Sequence, residues 1–169
     1  MPFWSIRQRF PNARFLAPRD VITVMRRQAS AAVFESFWNS RFPRQIDANP
    51  VIAKELSGPV IELEGEELVS VPLGHTDSDN SSVDTRNEWI SALDIIESLK
   101  PCAVVAGHKR PGSEDSPRIV EETRQYIRDF DRIAAATTTA EELYNRMLAL
   151  YPDRLNPGAL WSSARGVKS

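Results

Sequence analysis

Each of the chain's two histidines follows a glycine that closes an apolar run, in Leu68-Val-Ser-Val-Pro-Leu-Gly-His75-Thr-Asp77 and in Cys102-Ala-Val-Val-Ala-Gly-His108-Lys109. A short apolar segment ending in Gly-His predicts a buried strand whose last residue emerges at a sheet edge, where side chains converge on a ligand or metal. Three uses are compatible with these residues. In the first, His75 is a base, Asp77 its orienting carboxylate, His108 an acid and Lys109 the cation that receives a developing oxyanion. That set suits metal-free hydrolysis or ring closure of an activated ester, lactone or thioester, whose leaving group needs little help. In the second, a metal generates the nucleophile. A catalytic zinc takes three protein ligands and a water, so two histidines would need a carboxylate such as Asp77 or Asp79 beside them. In the third, both histidines are turn residues bonded to the backbone, and Lys109 and Arg110 are a solvated turn.

The background is that of a cytoplasmic globular protein. With 169 residues, 41% hydrophobic and 26% charged, one domain over residues 1–169 with a real core is expected. The formal net charge of -2, with 21 basic residues interspersed among 23 acidic ones, points away from nucleic acid and from an anionic membrane surface. A single cysteine, Cys102, excludes an internal disulfide framework, and its apolar neighbours predict a core thiol. The first residues lack a signal-peptide pattern and no segment is long and apolar enough to span a bilayer, so the expected location is the cytoplasm.

Helix and strand signals alternate around the two Gly-His turns. Asp20 predicts the cap of a helix to about Gln28, and Val33, Phe34, Phe37 and Trp38 a second helix over 31–39. Residues 59–63 and 67–71 alternate around Glu64-Gly65-Glu66 as a hairpin, and 81–83 read as a short strand. A helix over 86–99 carries Trp89, Leu93 and Ile96, and 102–106 has the pattern of an interior strand, which together suggest a layered α/β fold. Ser116-Pro117 opens a helix to about Ala135, Thr139-Ala-Glu-Glu142 is a capping box for another with Leu143, Met147 and Leu150 on its buried face, and Asn156-Pro157 starts a last one with Trp161.

Taken in order, Phe10-Pro-Asn-Ala-Arg14, Gly74-His75-Thr-Asp77, Trp89-Ile-Ser-Ala-Leu-Asp94, the run Lys100-Pro-Cys through Gly107-His108-Lys-Arg-Pro111, and Glu122-Thr-Arg-Gln-Tyr-Ile-Arg-Asp-Phe130 resemble the C-terminal part of a metallo-β-lactamase-fold hydrolase. The resemblance implies an αββα sandwich that hydrolyses esters, lactones, thioesters or amides through a metal-bound hydroxide, with His75 and His108 at two of the family's histidine positions. The chain departs from that pattern. It contains no His-x-His-x-Asp-His cluster, and Val83 runs into Asp84-Thr-Arg-Asn where relatives carry a strand and a bridging aspartate. The resemblance therefore implies a truncated, degenerate scaffold, one half of the sandwich with extra C-terminal helices, with no metal expected and zinc as the alternative. Losing half the sandwich would uncover an apolar sheet face, so a homodimer closing over it is the expected partner state.

Overall fold

Pro18 ends a short strand and starts a helix in a single step, because its fixed φ suits a helix entrance. The computed structural model describes residues 9–47, 50–73 and 82–169. Within it the chain divides into two compact units, Met1–Pro72 and Leu73–Ser169. The molecule is mixed α and β, with long helices and only short strands. Among the described residues no helix is long and apolar enough to cross a membrane.

In the first unit, β1 (Leu16–Ala17) pairs in parallel with β2 (Lys54–Glu55), and α1 (Arg19–Gln28) follows β1 directly. The helix starts ahead of the expected cap, so Asp20 falls in the first turn, where its charge complements the helix dipole as Arg26 and Arg27 do in the last. Ala17, Ile22 and Ala53 form a small core with Phe15, Met25 and Ile52 packed on it. The expected second helix is α2 (Ala31–Val33), which passes into a π-helical stretch over Phe34–Asn39. The hairpin is present as β3 (Val60–Leu63) and β4 (Glu66–Val69). Its turn places Glu64 and Gly65 at φ 55° and 86°, the pair of left-handed residues of a type I′ turn.

The second unit is helical. α3 (Val83–Ser98) is capped by Ser82, whose hydroxyl accepts from Thr85 N at 3.1 Å. The strand expected at 81–83 is thus a correction: Ser82 and Val83 are cap and first turn, and the serine that looked like β punctuation is a helix start signal. α4 (Arg118–Ala135) follows Pro117, and Ser116 Oγ accepts from Arg118 N. α5 (Ala140–Leu150) has its capping box, with Thr139 Oγ1 accepting from Glu142 N while the Glu142 carboxylate reaches back to Thr138 N. α6 (Pro157–Val167) is capped by Asn156 in the left-handed region. Phe130, Ile133 and Ala134 of α4, Leu143 and Met147 of α5, and Leu160 and Ala164 of α6 interlock as the main core. Their i, i+3 and i, i+4 spacings place one stripe of each helix inward.

The interior strand expected over 102–106 is not formed. The segment lies in the loop between α3 and α4, with Val104 N donating to Asp115 O and Val105 72% exposed. Cys102 is exposed as well, which corrects the expectation of a core thiol. An apolar run specifies burial only if a partner strand is available, and among the described residues none pairs with it.

Candidate functional site

The loop between α3 and α4 carries His108 and is fastened at several points. Lys109 Nζ donates to Asp115 and to the Ser113 carbonyl, Ser113 N donates to Arg110 O, and Gly112 turns at φ 80°. Arg110 reaches Asp153 at 3.3 Å. Glu114 pairs with Arg118 as a helix-entrance acid, whereas Asp115 is the anchor for Lys109. The Lys109 ammonium is therefore engaged within its own loop.

His108 is exposed, and its imidazole has no hydrogen bond or ion pair among the described residues. It lies on the wall of a cleft of about 400 Å³ formed by α3, α4, the start of α6 and the loop before it. Arg86, Trp89, Tyr126, Arg154 and Asn156 line the same cleft. A wider recess that opens on the surface shares His108 and Arg154 and adds Lys109. His108 and Lys109 are thus brought together. His75 and Asp77, like Asp79, lie outside the described residues.

The cleft wall is held by charge and aromatic contacts that set its electrostatics. Arg154 donates to the Glu122 carbonyl at 3.0 Å and lies 4.5 Å from the Tyr126 ring centre and 5.9 Å from that of Tyr151. Tyr126 and Tyr151 meet edge to face at 4.9 Å. Burial pushes the Tyr126 phenol up against the opposing pull of the Arg154 charge, so it stays protonated at neutral pH. Arg86 is buried, pairs with Asp131 and lies 5.2 Å from the Phe130 ring centre. A second buried guanidinium, Arg124, ties α4 to α3 through Asp94 and Glu97 and pairs with Glu121 on its own helix. Its hydrogen bond to the Glu121 carboxylate leads the interactions that raise its pKa, so it is a fixed cation.

Arg154, Tyr126 and Arg86 escaped the sequence reading. Arg154 sits in a short connection after Pro152, and the other two lie on helices whose apolar stripes drew attention elsewhere. Nothing in local spacing marks residues that meet only when α3, α4 and α6 pack. Among the described residues, no three His, Cys, Asp or Glu side chains are grouped as a metal would require, a set that does not include His75, Asp77 or Asp79. No protein-family model, curated protein or solved structure matches this chain.

Proposed function

We propose that the protein is a metal-independent hydrolase, or a lactone-forming enzyme, acting on a small ester, lactone or thioester, on a truncated metallo-β-lactamase-like scaffold. The observation that carries the reading is the unpartnered His108 imidazole on the wall of a cleft that Arg154, Trp89 and Tyr126 also line. A cleft of this size is at the small end of the ~300–1,000 Å³ usual for small-molecule sites. Its mixture of aromatic and aliphatic walls with polar side chains such as Arg154 and Asn156 suits an acyl or aromatic metabolite.

In hydrolysis, water attacks the acyl carbon as its proton passes to a base, the role the sequence assigns to His75 with Asp77 as its carboxylate, both outside the described residues. The carbonyl π bond re-forms as the C–O or C–S bond to the leaving group breaks, and His108 protonates the departing oxygen or sulfur. Arg154, a guanidinium that shares the cleft with His108 and, unlike Arg86, has no carboxylate partner among the described residues, takes the oxyanion role first given to Lys109, which its own loop holds.

His108→Ala should lower kcat/KM on the best substrate in a panel of activated aryl esters, lactones and thioesters by about 100-fold or more, the usual scale of a lost general acid. Arg154→Ala should act mainly on kcat. A folded His108→Ala protein with undiminished turnover would remove the histidine mechanism. The zinc-dependent alternative predicts stoichiometric metal in protein purified without chelator, which elemental analysis decides.

A second reading, a dimerising module, is favoured by the β3–β4 hairpin, where Val60, Leu63, Leu68 and Val69 are all exposed. Both readings take a cytoplasmic homodimer as the working state. Light scattering at micromolar concentration should return twice the chain mass, and a well-behaved monomer would exclude the dimer.

A further inference from the structure

The first unit holds an open cleft of its own, of about 310 Å³, which among the described residues is lined by side chains between Met25 and Ile52. Met25, Phe34, Trp38, Ile46, Val51 and Ile52 supply apolar walls. Two polar side chains complete it. The half-buried Gln28 amide has no hydrogen-bond partner among the described residues, and Asp47 contributes an exposed carboxylate.

The helix that builds one wall is irregular in an informative way. π-helical turns are rare and occur mainly where a functional site needs a displaced side chain. Here the widened turns of Phe34–Asn39 divide three aromatic residues between two faces. Phe34 is buried and Trp38 lines the cavity, whereas Phe37 turns outward with the Arg41 guanidinium 3.9 Å from its ring centre. Hydroxyls support the stretch, Ser36 Oγ donating to Ala32 O at 2.7 Å and Ser40 Oγ to Ser36 O at 2.8 Å. The cleft opens to solvent beside this backbone irregularity, which sets its aromatic wall.

We propose that the cavity is a small-molecule site, separate from the His108 cleft, for a neutral and largely apolar ligand with one hydrogen-bonding group. An aromatic ester or alcohol is the matching class. The walls bury the apolar body, the Gln28 amide donates to or accepts from the single polar group, and an ionised carboxylate would lose its hydration among walls that are mostly apolar.

The test uses the full chain and prodan, a neutral naphthalene fluorophore, as probe. Prodan should bind saturably at one site per chain, with methyl benzoate displacing it and benzoate doing so at least tenfold less well. Ala29→Leu, which adds side-chain volume to a lining position, should weaken prodan at least tenfold with unchanged circular dichroism, and His108→Ala should leave prodan binding unaltered. Val51→Leu serves as the filling variant if Ala29→Leu disturbs the fold. Unsaturable binding, equal affinity in a folded filling variant, or benzoate competing as well as its ester would overturn the proposal.

Discussion

Tyr151 donates its hydroxyl to Asp129 at 2.6 Å, and the same carboxylate accepts from Arg132 and Gln125. The tyrosine bond leads these interactions, which lower the Asp129 carboxyl to about 2. On the other side, burial followed by the Asp129 bond raises Tyr151 to about 12. A carboxylate with a lowered folded-state pKa stabilises the fold above its ordinary value and loses that contribution as pH falls from about 4 towards about 2. A phenol with a raised one stabilises below its ordinary value and loses that contribution as pH rises from about 10 to about 12. Tyr151→Phe should therefore cost about 1–3 kcal/mol at neutral pH, the scale of a hydrogen bond to a charged group. Urea unfolding at about pH 7 and about pH 2 measures the difference, which should shrink in acid as Asp129 is protonated. A difference of the same size at both pH values would mean that the tyrosine contributes packing alone. Such a pair was invisible in the sequence, since Asp129 and Tyr151 belong to different elements and no local spacing links them. His108, by contrast, was legible because Gly-His after an apolar run is a local pattern, while its cleft partner Arg154 was not.

Among the elements, what the sequence made readable is what is settled within a few residues. A cap acts on a backbone N–H two or three positions away, so Thr139 and Asn156 announced α5 and α6, as Glu64-Gly65 announced the hairpin turn. A strand needs a partner from elsewhere in the chain. The run Cys102–Ala106 has the composition of an interior strand and no means of showing that its described neighbours would offer no ladder. The π-helical stretch was missed for a related reason, since Phe34 and Trp38 fit α-helical spacing equally well. The cap at Ser82 makes the local rule testable. Its hydroxyl satisfies Thr85 N, an N–H with no partner within the helix, so Ser82→Ala should destabilise the second unit by about 1 kcal/mol while Ser82→Asp should not. Thermal melts of the two variants measure this, and equal losses would assign the effect to the residue's exposure and not to its cap.

At the scale of the molecule, the two units differ in how much they bury. The second has a continuous core in which Leu143 and Met147 are wholly inaccessible, flanked by Tyr126, Tyr144, Leu148 and Tyr151. It is also bound across its helices by the Arg86–Asp131 pair and by Arg124 with Asp94 and Glu97. Among its described residues the first has a cluster of two alanines and an isoleucine with three partly buried neighbours, besides the buried Phe34, and its hairpin exposes most of its side chains. Small alanine-centred cores bury little area, at about 25 cal/mol per Å² of apolar surface, against an ordering cost of about 1–2 kcal/mol per residue for the backbone alone. Stability should therefore be unequal along the chain. A fragment covering residues 82–169 is expected to keep helical circular dichroism and a cooperative urea transition by itself. A fragment covering 9–72 should unfold with no sharp transition. Leu143→Ala should cost about 2–5 kcal/mol in both the full chain and the 82–169 fragment, because the space it leaves is enclosed by residues of that unit alone. If the 82–169 fragment instead unfolds without cooperativity, the helical core depends on the first unit for its stability, and the two would have to be treated as one folding body.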